Sequence, residues 1–450
     1  MSLATGLTRN MSSLGDVSRD RQTGVGLSGR IVRLKRNDNW EWVVAMIKQR
    51  VGNGSSREAR RTSAVAAACA LTLLAAQAAT PAFAGPTEQA ERIYERLAGV
   101  EPSPAVLAQM VAAINGASGN AGLVAAAVIA TDPKSAPTFY NVTLKNMVIP
   151  WTNRNQTVFA PLNDYAATVI GMVRDNVPFN QVLSQDILYT VNSSGLPAVS
   201  PANNNHYAMA EANGVDLSTA LVPTSQSAAY GIPTAATAGV ITTAGGAGAY
   251  FINGTNRAMF RYTMINYMCN DMQTLMDTSR PTDRIRQDVA RTPGGDSRIF
   301  LNNCVGCHSG MDPNAQAFAY YNFDVTSNQL QYTPGVTQAK YHINTLNFPQ
   351  GYVTPDDSWS NRWRAGPNAI FGWSSALPGS GNGAKSWGQE IAGSQQFAVC
   401  KVQQVYQTVC FRSPTTAADQ AAAATITSGF QSTYNLKTVF QQVAANCAGN

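Results

Sequence analysis

The stretch Asn302–Asp324, NNCVGCHSGMDPNAQAFAYYNFD, decides the reading of this chain. It holds two of the seven cysteines and one of only three histidines among 450 residues. Cys304 and Cys307 flank Val305 and Gly306, and His308 follows directly. C-x-x-C-H is the spacing of covalent c-type haem attachment. Two thiols three residues apart add to the two vinyl groups of one haem, and the adjoining imidazole reaches the iron from one face. A zinc site needs four ligands, usually from a second C-x-x-C or a matched pair of histidines, and no second C-x-x-C occurs. A thioredoxin-like pair belongs where a strand enters a helix in a βαβ unit. The flanks SRIFLNN and SGMDPNAQ lack that pattern.

Haem attachment of this kind takes place outside the bacterial cytoplasm, so the motif calls for an export signal. Residues 57–84 read REARRTSAVAAACALTLLAAQAATPAFA. Arg57, Arg60 and Arg61 precede an uncharged Ala/Leu-rich run, and Ala82-Phe83-Ala84 is an A-x-A cleavage site before Gly85. These are the three parts of a secretory signal peptide. The apolar run is too short and Ala-rich for a membrane span, and Cys69 is poorly placed for lipidation. We assign 46–84 as the signal peptide, with Met46 the natural start and 1–45 an over-extended or disordered N-terminus. The expected location is the periplasm or the outer surface of a bacterium.

Removing the leader changes the charge argument. The chain carries 32 Lys and Arg against 26 Asp and Glu, but 12 of the former and 5 of the latter lie in residues 1–84. The remainder is close to neutral, which argues against nucleic-acid or anionic-membrane partners. After cleavage no membrane span is expected.

Four cysteines remain beside the motif in an oxidising compartment: Cys269, Cys400, Cys410 and Cys447. Four allow three connectivities. Cys400 and Cys410 lie in a helical pattern, where ten residues span about 15 Å, beyond disulfide reach. We take Cys269–Cys400 with Cys410–Cys447 as the expectation.

Apolar spacing predicts a mainly α fold. A helix capped by Thr87 buries Ile93, Tyr94 and Leu97, and another starts at Ser103-Pro104 and stops at Gly116. The expected organisation is a helical N-terminal domain over 85–190, a loop-rich linker or insertion over 191–250, a haem c-binding domain over 251–330, and a C-terminal domain over 331–450 ending in helices. One helix is expected from Asn256 to Asp277, carrying Met264, Met268, Met272 and Met276 at steps of four, and another long one over KSWGQEIAGSQQFAVCKVQQVYQTV. GSGNGAKS (Gly379–Ser386) departs from a phosphate loop, because Ala384 separates Gly383 from Lys385 and no strand is expected before it. AGGAGA (Ala244–Ala249) lacks the third glycine of a dinucleotide fingerprint. No Ser-His-Asp or Cys-His nucleophile set stands out, and no catalytic residue is assigned.

The segment CVGCHSGMDPNAQAFAYYNFD resembles the C-x-x-C-H-x-x-M-D-P-x-G-x-A-x-x-x-F-D stretch of planctomycete-type cytochrome c proteins, large exported multidomain bacterial proteins. RIYERLAGVEPSPAVLAQMV, GVITT with FRYTMINYMC, and GQEIAGSQQFAVCKVQQVYQTVCFR are similar to their other segments, in the same order. Asn314-Ala315 replaces the family's turn glycine. The resemblance implies Cys304 and Cys307 as thioether links and His308 as proximal ligand of one haem c. It leaves the distal side open.

No methionine follows Met311, so the downstream methionine of small cytochromes c is missing. Distal candidates are His342, 34 residues past His308, then Met268, with His206 and an open iron as further options. A six-coordinate iron fits single-electron transfer to a redox partner protein, the leading expectation. An open iron fits a peroxidase- or oxygenase-like haem enzyme. A helical binding module with a structural haem is the third class.

Overall fold

The computed structural model describes residues 84–280, 298, 300–342 and 354–448. The segment 1–45, all of the signal peptide but Ala84, and the stretch 343–353 lie outside the described residues. Helices dominate, as the apolar periodicity predicts, and the described strands are short and pair only as two-stranded antiparallel ribbons.

Helix α1 (Pro86–Ala98) begins two residues earlier than a Thr87 cap implies. Gly85 is its N-cap and Pro86 takes the first helical position, where a missing N–H costs nothing. Gly99, at φ 73°, ends it. Ser103 caps α2 (Pro104–Gly116), its Oγ accepting the Val106 N–H at 3.4 Å. Helix α3 (Asn120–Ile129) packs on both. Helix α4 (Asp164–Arg174) is buried at nearly every position and runs through the centre.

The segment 191–250 is more ordered than its Ser, Asn, Pro and Gly content suggests. Strand β1 (Leu188–Val191) pairs antiparallel with β2 (Leu221–Thr224), and α5 (Asn205–Ala212) lies between them in sequence. Helix α6 (Ala244–Tyr250) follows. Buried side-chain amides stand in for apolar periodicity here. Gln226 Nε2 donates to Ile187 O at 3.0 Å and Gly239 O at 2.7 Å, while its Oε1 accepts from Thr242 Oγ1 at 2.8 Å.

Two expected helices are shorter than their patterns. Helix α7 (Arg257–Met268) stops where Cys269 turns to φ 53°, so the methionine stripe is not one face. Met264 and Met268 are fully buried, whereas Met276 is 53 % exposed. After α8 (Val305–Ala315), ribbon β3 (Tyr321–Asp324) with β4 (Gln329–Tyr332), and ribbon β5 (Ser358–Ser360) with β6 (Ser380–Asn382), the long C-terminal pattern splits in two. Helix α9 (Gly383–Ala392) ends at Gly393, and Ser394 caps α10 (Gln395–Cys410). Strand β6 lies inside the GSGNGAKS stretch, and the Lys385 ammonium is taken up by Thr234 O at 2.8 Å. Helices α11 (Ala417–Thr433) and α12 (Leu436–Cys447) complete the chain.

The described residues from Ala84 onward belong to one compact unit. The segments divided in sequence at 190, 250 and 330 share one apolar core that runs from Ala90 to Ala448. Its two ends meet: Arg96 Nη1 donates to Cys447 O at 2.6 Å, and Gln441 Nε2 to Thr131 Oγ1 at 2.8 Å. Cys269–Cys400 (Cα–Cα 5.3 Å) ties the end of α7 to α10, and Cys410–Cys447 (Cα–Cα 6.0 Å) ties α10 to α12, the pairing expected from the spacing. No helix among the described residues is long and apolar enough to cross a membrane.

Candidate functional site

A π-helical turn, Phe300–Cys304, leads into α8. Cys304 is the residue before the helix, and Cys307 and His308 lie in its first turn. Residues three and four apart share a helix face, so the two sulfurs and the imidazole are presented together. Neither cysteine is in a disulfide. From Cys304 to Tyr321 every residue is buried except Cys304, Cys307 and His308, which are partly open. The motif residues are the accessible points of an otherwise enclosed segment.

The opposite face of α8 explains its rigidity. A Cβ at Gly310 would run into the Trp363 indole, so only glycine lets the helix lie this close. Gly306 is less tightly held, a Cβ there standing 3.1 Å from the Met276 methyl. Asn314, where the family pattern has its turn nearby, continues the helix instead. Its Nδ2 donates to Gly310 O at 2.9 Å and its Oδ1 accepts the Trp387 indole N–H at 3.1 Å.

His308 is oriented by a buried carboxylate. Its Nδ1 lies 3.0 Å from Asp312 Oδ2, one turn on. Asp312 is fully buried, and Arg257 at the start of α7 grips it with Nε at 2.7 Å from Oδ1 and Nη2 at 3.1 Å from Oδ2. Burial pushes the Asp312 carboxyl up, but the charges of Arg257 and His308 outweigh it and hold it well below the usual carboxylate range. An ionised carboxylate only accepts, so Nδ1 points a proton at Asp312. Metal-bound histidines are held this way, the second ring nitrogen fixed by a carboxylate. The Cys307 Sγ approaches Met272 O at 3.5 Å, and burial, with Cys304 and Asp271 nearby, pushes its thiol up. A redox-active C-x-x-C pair needs the opposite, a depressed thiol. The residues present therefore fit a covalently held haem: two reachable thiols on one face and an imidazole whose Nε2 would be the atom offered to its iron. Among the described residues no cluster of three or more His, Cys, Asp and Glu side chains forms a bare-metal site.

The distal candidates lie in different surroundings. His342 is exposed, its Nε2 3.2 Å from Thr337 O, at the edge of the undescribed stretch 343–353. Met268 is fully buried against the start of α10, its Sδ accepting from Ser394 Oγ at 3.3 Å. His206 is 6 % exposed with Nε2 accepting the Val191 N–H at 3.0 Å and Nδ1 2.8 Å from Pro197 O, which leaves no ring nitrogen for a metal. Asp312 stood in the motif, and its spacing of four from His308 was a usable signal. Arg257 had none, because it arrives from another helix.

No family model, no curated protein and no solved structure matches this chain.

Proposed function

We propose that this chain is an exported monohaem c-type cytochrome, akin to the planctomycete-type proteins its motif resembles. Cys304 and Cys307 would hold one haem c, each through a thioether formed when its S–H adds across a vinyl group of the free haem, and His308 would supply the imidazole to the iron. The observation that carries the reading is that these three side chains are the accessible ones in a buried segment, with the imidazole oriented by Asp312. The bound haem supplies a one-electron centre. The chain supplies covalent retention, a fixed imidazole and an enclosing helical core, which suit single-electron transfer to a redox partner protein at the periplasmic or outer cell surface.

A second reading, a haem enzyme with an open distal site, is favoured by Asp312. A carboxylate on the proximal imidazole raises its basicity and electron donation to the metal, which suits peroxide or oxygen chemistry as well as electron transfer.

The test is expression with the cytochrome c maturation machinery. Denaturing gels stained for haem show a coloured band from the wild type, and Cys304→Ala with Cys307→Ala removes it. A colourless wild type in that host rejects the proposal. Carbon monoxide then separates the two readings: slow or absent binding to the ferrous protein favours the carrier, and immediate binding the enzyme.

A further inference from the structure

The AGGAGA stretch has a role unrelated to nucleotides. It forms α6, one wall of a cavity of about 570 Å³. Cys304, Cys307 and His308 are not among the walls of that cavity. Small-molecule sites run from ~300 to 1,000 Å³.

The α6 side of the cavity is apolar and continuous. Ala244, Gly245, Gly248 and Ala249 line it and are the partly open residues of the helix, so this wall is backbone and methyl groups. The Phe323 ring packs directly on Gly248, 3.4 Å from where a Cβ would lie, and extends the same wall. Nothing enters between ring and helix; a ligand lies on the surface they share.

The two charges on the cavity belong to the helix. Asp164 accepts the Ala244 and Gly245 N–H groups at the N-terminus of α6, at 2.6 and 2.8 Å. Arg154 donates at its C-terminal end, from Nε to Ala249 O at 2.7 Å and from Nη2 to Ile252 O at 2.9 Å. An anion at the first turn and a cation at the last complement the helix dipole. No other Asp, Glu, Lys, Arg or His lines the cavity. The two charges are opposite in sign, so the lining as a whole is neutral and singles out neither an anionic nor a cationic ligand.

The remaining lining is rich in side-chain amides, and backbone groups fix their orientation. Asn204 Nδ2 donates to Leu162 O at 2.7 Å, and Asn328 Nδ2 donates to Ala202 O. These bonds tie the loop ahead of α5 to the entry of α4 and to the β3–β4 turn. Asn203 Oδ1 accepts the Asn205 N–H at 3.1 Å. The other end of each amide has no partner among the described residues. The lining therefore holds two oriented acceptors, Asn204 Oδ1 and Asn328 Oδ1, and one oriented donor, Asn203 Nδ2.

A neutral cavity with an apolar wall and uncharged donors and acceptors matches the two sides of a sugar ring. One face of a pyranose is C–H, and its hydroxyls each donate and accept. We propose that this cavity binds a neutral hexopyranose, its C–H face on the wall made by α6 and Phe323 and its hydroxyls on Asn203, Asn204 and Asn328. The site is independent of the haem reading.

The test is calorimetric titration of the full mature chain with D-glucose, D-galactose and D-mannose in turn. Saturable binding of at least one is expected. Glycerol, which keeps hydroxyls without the C–H face, and cyclohexanol, which keeps a ring with a single hydroxyl, bind at least tenfold more weakly than that sugar. Asn203→Ala with Asn328→Ala weakens the sugar at least tenfold. Ala249→Trp fills the cavity and abolishes binding; should either variant fail to fold, the other decides. No saturable binding of any of the three sugars at tens of millimolar, glycerol or cyclohexanol binding equal to the sugar, or a folded variant of either kind that binds like the wild type would each overturn the proposal.

Discussion

His308 Nδ1 lies 3.0 Å from Asp312 Oδ2 on the same helix, and Arg257 clamps that carboxylate from another. Three groups distant in their roles thus share one buried charge network. Asp312→Asn keeps the shape and removes the charge, so His308 becomes a weaker donor. On the cytochrome reading, the midpoint potential rises while the haem stays covalently bound. An unchanged potential in a folded, haem-loaded variant would show that the carboxylate only positions the ring. The substitution also leaves Arg257 facing an uncharged partner, a loss of about 3–5 kcal/mol for a broken buried pair.

The same pair sets an acid limit. A carboxyl held below its ordinary value stabilises the fold fully above the unfolded pKa of about 4, and that contribution is lost as pH falls through the lowered value. Urea midpoints of the wild type should fall steeply below about pH 4. Asp312→Asn, although less stable at neutral pH, should show a shallower fall. A parallel fall in both proteins would place the acid sensitivity elsewhere.

The distal ligand divides the two functional readings. Met268 is buried and bonded to Ser394, whereas His342 is exposed. His342→Ala is expected to turn the ferric spectrum toward high spin and admit carbon monoxide to the ferrous form, with Met268→Ala spectrally silent but destabilising. Core truncation of this kind costs about 2–5 kcal/mol. A spectral change in the methionine variant alone would transfer the assignment to α7. A wild type that is already high-spin would give the lead to the enzyme reading.

Lys401 is fully buried, its Nζ 4.1 Å from the Trp151 ring centre and 4.4 Å from that of Tyr267. It donates to Asn266 O at 2.7 Å and Gln404 Oε1 at 2.6 Å, without a carboxylate. Burial pushes its ammonium well below the usual lysine range. The unfolded chain therefore holds this proton at pH values where the native chain releases it. Stability rises with pH between the lowered value and the unfolded one near about 10.4. Lys401→Met should flatten that rise, as read from denaturant midpoints across the alkaline range. An unaltered slope would mean that Lys401 keeps its proton through the rings and carbonyls around it.

The two disulfides differ in the chain they close, 131 residues for Cys269–Cys400 and 37 for Cys410–Cys447. Loop-closure entropy makes the longer one worth about 1 kcal/mol more. Paired Ser substitutions at 269 and 400 should lower the denaturant midpoint more than those at 410 and 447. The reverse order would show that α12 depends on its local staple more than on its packing.

Local spacing alone determined several features. The C-x-x-C-H group and its one-face presentation follow from three- and four-residue steps within a single helix turn. The start of α2 follows from Ser103-Pro104 and the apolar stripe, and the excluded Cys400–Cys410 pair follows from helical rise. What the tertiary structure decided is what depends on segments far apart in sequence. Helix α7 ends at Cys269 because the chain turns there to reach Cys400, which no periodicity records. The 191–250 segment has no apolar stripe, yet it sends Tyr207, Leu217, Leu221 and Val240 into the shared core and is tied to Ile187 and Gly239 by the buried amide of Gln226. Arg257 meets Asp312 across 55 residues, and Arg154 meets the end of α6 across nearly a hundred. Neighbours within a turn are dictated by backbone geometry, whereas a charge network or a cavity exists only once separate elements have packed and excluded water between them.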